Sequence, residues 1–176
     1  LKANYVQVEL IDNTYYNFSK TYNIENSRLL CTRRKRLDYQ STYVNVGDLV
    51  MVEAIDWDRA RGVVTHVEPR ENLIDRPAVA NVTKLFVVIS VDEPSFDSYQ
   101  ATLFLLTAES RSIDVAVILT KTDLVPDNIL KDLILRLEEW GYEVFPVSIL
   151  NGSGINNLLF KLKSTKLAVL CGPSGT

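Results

Sequence analysis

Four short runs in the second half of the chain constrain its fold most: residues 85–89, 115–119, 144–147 and 167–170, each apolar throughout. A strand with one wet face alternates apolar and polar residues. A run that is apolar at every position needs cover on both faces, as in a parallel sheet flanked by helices. Helical patterns lie between the runs. Asp97 can cap a helix running to about Glu109. Pro126-Asp127 opens a second, with Ile129, Leu130, Leu133, Leu137 and Trp140 on one stripe and Gly141 as its stop. Residues 154–163 give a third, with Leu158, Leu159 and Leu162 inward. Strand–helix alternation of this kind implies right-handed crossovers and a ligand site at the C-terminal strand ends.

The texture differs before Pro77. Short strand-like pieces at 5–11, 15–18, 29–32, 49–55 and 62–67 alternate with turns at Asp12-Asn13, Asn45 and Gly47-Asp48. Residues 50–55 do not alternate cleanly, which predicts strong curvature or burial of both faces. Four to five short strands with almost no helical periodicity suggest a small barrel of the oligonucleotide/oligosaccharide-binding (OB) type. The expected fold is therefore an all-β OB barrel over residues 1–76, followed by an α/β domain over residues 77–176.

Two motifs lie at the expected strand ends. Thr120-Lys121-Thr122-Asp123 follows the run 115–119, and Gly172-Pro173-Ser174-Gly175-Thr176 follows the run 167–170 and Cys171. The first resembles the Asn-Lys-x-Asp element by which GTPases recognise guanine. A fixed carboxylate at Asp123 can accept from the N1–H and the exocyclic amine of guanine, a donor pair that adenine lacks. The stem of Lys121 would lie along the base plane. The second motif looks like the opening of a phosphate-binding loop, whose glycines let backbone N–H groups face the phosphates. Ser148-Ile149-Leu150 sits one β–α unit after Asp123. A backbone N–H there would meet the guanine O6, with Ser148 bracing the loop. Taken singly, each has a bland reading: a solvated loop, a strand–helix junction, a Gly/Pro-rich turn. Their placement on consecutive strand ends favours the functional one. In an ordinary GTPase the phosphate loop precedes the guanine element; here the order is reversed, which points to circular permutation.

Composition narrows the rest. With 47% apolar and 23% charged residues the chain can bury a core. Its net charge of −3 excludes coating nucleic acid by bulk charge, so any such contact needs a local cluster. Arg33, Arg34, Lys35 and Arg36 form one, with Tyr39 and Tyr43 nearby to stack on bases. Its bland reading is a solvated loop. Two separated cysteines favour a reduced intracellular protein, and with the single His66 they cannot furnish a four-ligand structural zinc site unless carboxylates join at unlikely spacing. His66 and Trp57 read as packing residues. No apolar stretch reaches the length of a membrane span, and the N-terminus lacks a signal-peptide pattern.

On these residues the chain resembles the circularly permuted, ribosome small-subunit-dependent GTPases (the RsgA/YjeQ family). The resemblance is carried in the barrel by Cys31-Thr32-Arg33-Arg34-Lys35-Arg36 and Val46-Gly47-Asp48-Leu49-Val50. At the junction it is carried by Pro69-Arg70-Glu71-Asn72-Leu73-Ile74-Asp75-Arg76-Pro77 and Val79-Ala80-Asn81-Val82. Glu93-Pro94-Ser95-Phe96 and the strand-end motifs carry it beyond. It implies a GTP-binding and GTP-hydrolysing factor of late small-subunit maturation, monomeric, with rRNA and the small subunit as partners. It implies no membrane contact and a cytoplasmic location, a plastid being the alternative compartment. It implies guanine contacts from Thr120, Lys121, Asp123, Ser148 and Ile149. Phosphate contacts would come from Gly172, Pro173, Ser174, Gly175 and Thr176, and RNA contacts from Arg33, Arg34, Lys35 and Arg36. GTP or GDP is the expected ligand. Mg²⁺ is expected on ligands after Thr176, and zinc only in a C-terminal domain that follows; no metal ligand or catalytic residue is assigned here. The phosphate-loop Lys, the switch segments and the Asp-x-x-Gly element are likewise expected after Thr176, so the GTPase domain is incomplete in this chain. Thr120 departs from the family's usual Asn and cannot bridge base and phosphate loop as an amide does. The alternative reading is a non-catalytic RNA-binding module whose α/β part is a docking platform.

Overall fold

The computed structural model describes residues 5–11, 28–34, 43–75 and 77–176. They form two compact units, Leu1–Glu71 and Asn72–Thr176. The expected strand at 15–18, Lys35, Arg36, Tyr39 and Arg76 lie outside the described residues.

The first unit holds one sheet of β1 (Tyr5–Glu9), β2 (Arg28–Arg33), β3 (Val50–Asp56) and β4 (Arg61–Val67), ordered β1-β2-β4-β3. β1 runs antiparallel to β2 and β3 antiparallel to β4, while β2 and β4 are parallel. Leu29, Cys31, Val52 and Val64 are buried on one face, with Val6, Val8 and Val50 against them. The broken alternation in β3 has a physical cause: the β3–β4 register shifts between Met51 and Val52 and again between Glu53 and Asp56. Such bulges bend a strand. They leave Met51 and Ala54 exposed, so curvature rather than burial of both faces explains the pattern. His66, opposite Met51, is exposed rather than packed inside. The Gly47-Asp48 turn is fastened by Arg70. Its Nε donates to Asp48 Oδ1 at 2.7 Å and its Nη2 to Asp48 Oδ2 at 2.9 Å and to the Tyr43 carbonyl at 2.6 Å. Asp48 Oδ2 also accepts from the Asn45 N–H at 2.7 Å. A two-toothed arginine–carboxylate pair with a fully buried Asp48 side chain explains what the barrel stretch 46–50 and the junction stretch 69–77 do for the fold.

In the second unit a hairpin, β5 (Leu73–Asp75) and β6 (Ala78–Ala80), precedes the main sheet. The Asn72 side chain closes it, donating to the Val82 carbonyl and accepting from the Val82 N–H, both at 2.9 Å. The main sheet contains β7 (Lys84–Ser90), β8 (Asp114–Thr120), β9 (Glu143–Pro146) and β10 (Ala168–Cys171). All its pairings are parallel, in the order β10-β7-β8-β9. α1 (Ser98–Glu109) and α2 (Asp127–Glu139) cover one face; Ala101, Leu105, Leu133 and Leu137 pack there on Val87, Val117 and Leu119. α3 (Ile155–Ser164) covers the other, with Ile155, Leu158 and Leu162 against Phe86, Ala116, Ile118 and Val147. Cover on both faces is what the all-apolar runs demanded. Asp97 caps α1 through the N–H groups of Tyr99 and Gln100. Gly141, at φ +92°, lets the chain leave α2. The stripes are narrower than expected, since Ile129, Trp140 and Leu159 are exposed.

The opposite end of the sheet carries a group the sequence reading missed. Lys84, 6% exposed, opens β7 among apolar neighbours and pairs with Asp114 of β8 and, at 3.3 Å, with Glu143 of β9. Lys161 of α3 reaches Glu143 at 2.7 Å, so one network ties three strands and a helix. Burial by itself would raise the Glu143 carboxyl, but hydrogen bonds from Lys161 and Lys84 outweigh it and hold the group below its ordinary value. A carboxyl lowered by folding stabilises the fold above its unfolded pKa and loses that contribution as pH falls through its folded value. Glu143→Gln should therefore lose less stability than wild type between pH 6 and pH 3. Urea unfolding followed through Trp140 fluorescence in a Trp57→Phe background measures this; parallel losses in the two proteins would contradict it.

Candidate functional site

The strand order reverses within the main sheet. From β7 the chain moves outward through β8 to β9, then α3 carries it over the other face to β10 on the far side of β7. Where the order reverses, adjacent loops diverge to opposite faces and leave a binding crevice at the strand C-termini. The loops after β7, β8, β9 and β10 all open at that end.

The β8 loop starts at Thr120. Its Oγ1 donates to the Ile89 carbonyl at a long 3.4 Å, which keeps it on the neighbouring strand. Lys121 has φ +58° and caps a single 3₁₀ turn, Thr122–Leu124, which carries Asp123. The Thr122 N–H donates to the Val147 carbonyl at 3.3 Å, and the Val147 N–H to the Leu119 carbonyl at 2.8 Å, so the β8 and β9 loops are stitched together. Ser148 is fully buried and its hydroxyl donates to Asp123 Oδ1. That bond fixes one carboxylate oxygen while Asp123 itself stays exposed at the crevice. The Asn151 N–H at 3.4 Å from Ser148 Oγ and a 2.9 Å bond from the Ser153 N–H to Asn151 Oδ1 shape the following turn. Beside it Ile149 and Leu150 stand 86% and 85% exposed.

Lys121 reaches across the reversal point. Its Nζ donates to the Gly175 carbonyl at 2.8 Å and to the Glu93 carbonyl in the loop after β7. The link between the loop after β8 and the loop after β10 is thus made by the Lys121 ammonium, while Thr120 stays on the neighbouring strand. Gly172 lies where β10 passes β7, and a Cβ built on it would fall 2.1 Å from the Val88 carbonyl oxygen. Gly175 has φ +87°, and Thr176 Oγ1 donates to the Pro173 carbonyl at 3.1 Å. Ser174 is exposed. Burial pushes the Cys171 thiol up, so it stays protonated at neutral pH beside this loop.

The structure thus brings Thr120, Lys121, Asp123, Ser148 and residues 172–176 to one end of one sheet. Sequence reasoning gave no role to the loop after β7, and a backbone carbonyl acceptor leaves no residue signature by which to find it. The basic run is a different case. Arg33 ends β2, the Arg34 N–H donates to the Val64 carbonyl at 3.0 Å, and the Arg34 guanidinium lies 3.6 Å from Glu53. Lys35 and Arg36 fall outside the described residues. Among the described residues no group of three or more His, Cys, Asp or Glu side chains is placed to hold a metal ion, and no helix is long and apolar enough to cross a membrane.

The sequence profile of the RsgA GTPase family matches residues 67–176. A small ribosomal subunit biogenesis GTPase RsgA of Prochlorococcus marinus is 50% identical over 177 residues, 99% of this chain and 57% of that protein. The protein of the same name from Synechococcus sp. (strain CC9311) is 47% identical over 175 residues, 99% of this chain and 55% of that protein. The chain therefore spans little more than half the length of these relatives. Its fold is similar to the crystal structure of YjeQ from Thermotoga maritima: TM-score 0.79 at 29% identity, over 99% of this chain and 58% of that one. YloQ, described as a circularly permuted GTPase, shares the fold with a TM-score of 0.74 at 23% identity, over 98% of this chain and 61% of that one.

The close approach at Gly172 yields a stability test. Gly172→Ala must push β10 off β7 and should cost about 2 kcal/mol or more, as overpacking does. Gly152→Ala, at φ +77° but with nothing within 4 Å of the added methyl, should cost only the left-handed backbone penalty of about 1 kcal/mol. Urea midpoints of the two variants check this, and equal losses would contradict the contact.

Proposed function

Because the chain belongs to the RsgA GTPase family, we propose that the whole protein binds and hydrolyses GTP and acts in late maturation of the small ribosomal subunit. In this reading the first unit, residues 1–71, forms an OB barrel that contacts rRNA, and the second, residues 72–176, forms the first part of a circularly permuted GTPase domain. The observation that carries it is the convergence of Lys121, Asp123, Ser148 and Gly175 at one strand-order reversal, joined by direct hydrogen bonds. The names of the relatives support the ribosomal role.

The chemistry follows from the geometry. Asp123 accepts from the guanine N1–H and exocyclic amine, while the Ser148 hydroxyl keeps the carboxylate from turning away. The Ile149 N–H donates toward O6, and its exposed side chain and that of Leu150 offer apolar contact to the base edge. The Lys121 ammonium is occupied by carbonyls, so its stem is held straight along the base plane. Residues 172–176 begin the backbone cradle for the phosphates. Mg²⁺, when bound, supplies charge neutralisation for phosphoryl transfer; no residue of this chain is assigned to it, nor to zinc. Arg33 and Arg34 sit where β2 ends, and with Lys35 and Arg36 they offer phosphate contacts to RNA. The parallel β2–β4 pair within an otherwise antiparallel sheet accords with the mixed strand order of a small closed barrel.

One turnover experiment on the whole protein, with and without small ribosomal subunits, tests both halves. Asp123→Asn should lose GTP turnover and gain turnover of the xanthine nucleotide, since an amide can donate where the carboxylate could only accept. Replacing Arg33, Arg34, Lys35 and Arg36 together by Gln should leave intrinsic turnover unchanged and reduce subunit stimulation, most at low salt, because each lost phosphate contact flattens the salt dependence of binding. Unchanged GTP turnover in Asp123→Asn would remove Asp123 from the pocket. Full stimulation in the quadruple variant would move the RNA contact elsewhere.

A further inference from the structure

We propose that the loop 92–96 is a positioning element of the nucleotide pocket. It presents the Glu93 carbonyl to Lys121, and through that ammonium it couples the base-side loop to the opening of the phosphate loop. The inference rests on the guanine-nucleotide reading above and extends it to a segment with no assigned role.

The loop is braced from within. Asp92 Oδ1 accepts from the Glu93 N–H at 2.9 Å and from Ser95 Oγ at 3.1 Å. Buried Ser90, the last residue of β7, donates its hydroxyl to the Asp92 carbonyl. Phe96 packs against the core beneath α1, and Asp97 caps that helix. Anchored at both ends, Glu93 is held at φ +51°, a conformation that residues with a side chain rarely adopt. Such a residue persists where its surroundings over-determine it, and these positions cluster at ligand clamps. Here the outcome is a carbonyl oxygen turned toward the strand-order reversal, where Lys121 Nζ takes it.

The same ammonium holds the Gly175 carbonyl. Pro94 stands beside that glycine: a Cβ built on Gly175 would meet Pro94 Cδ at 3.7 Å. Lys121 also begins the turn that carries Asp123. A shift of the Glu93 carbonyl therefore moves a side chain tied by its backbone to the guanine-reading carboxylate and by its ammonium to the phosphate-binding residues. Asp92 touches none of the expected nucleotide contacts; it acts through Lys121.

A double-mutant cycle on GDP affinity in the whole protein tests this. Asp92→Ala should weaken GDP binding about 5- to 10-fold, the scale of one lost hydrogen bond. Lys121→Met should weaken it more. Asp92→Ala combined with Lys121→Met should bind within about twofold of Lys121→Met alone, because the loop has no other route to the nucleotide. Asp92→Asn keeps an acceptor oxygen and should stay within about twofold of wild type. Ser95→Ala, which removes one brace, enters the same cycle if Asp92→Ala fails to fold. Non-additivity with the Asn rescue supports the coupling. Losses that multiply in the double variant would make the loop a merely structural support and overturn it. A wild-type protein that binds no GDP would overturn the guanine reading itself, an outcome distinct from additivity.

Discussion

The contact of Gly172 with the Val88 carbonyl is the constraint on which the strand-end site depends. It lets β10, last in the chain, lie against β7, first of the sheet, with no side chain between the strands. That pairing reverses the strand order and sends α3 to the face opposite α1 and α2. It also sets the loop after β10 beside the loop after β7. Without it Lys121 would have only one of its two carbonyls within reach. The opposite end of the sheet is fastened differently, by charge: Lys84, Asp114, Glu143 and Lys161 tie the strand starts together. A sheet locked at its base and open at its tip leaves the tip loops as the part free to serve a ligand.

Much of this was legible in the sequence, for a definite reason. Runs apolar at every position admit few environments, so the four core strands and their helical cover followed from pattern alone. The Asp97 cap and the Gly141 exit were legible because each names a residue type with a local backbone job. What was not legible depended on register or on backbone atoms. Lys84 reads as the polar lead-in to an apolar run; only the pairing of Lys84 with Asp114, and the place of β9 beyond it, reveals its partners. His66 faces outward because β4 carries an extra residue, Thr65, between Val64 and His66 opposite the Met51–Val52 step of β3, and bulges leave faint marks in sequence. The stripe on α2 was drawn too wide because Ile129 and Trp140 flank the buried line of Leu133 and Leu137 without joining it.

The loop after β8 is tied to its neighbours by its lysine rather than by Thr120. An amide at this position could span two loops, whereas the threonine hydroxyl reaches only Ile89. The link between the loops after β8, β7 and β10 rests on a cation, the Lys121 ammonium, with two carbonyl acceptors. A charged donor strengthens each of those bonds relative to a neutral one. The site is thus held by a point charge rather than by a planar amide, and the placement of the carbonyls around it matters accordingly. In the first unit the Asp48–Arg70 pair plays a comparable organising part. It fixes the turn before β3 to the segment that leaves β4, so two loops distant in sequence act as one edge.

The central claim is that four loops at the strand ends form one nucleotide pocket. Backbone hydrogen exchange of the whole protein, measured across a GDP titration, tests it most directly. The account predicts that exchange slows at residues 92–96, 120–123, 147–150 and 172–176 together, with one common dependence on GDP concentration. Protection confined to residues 172–176, with residues 120–123 and 147–150 unchanged at saturating GDP, would contradict it.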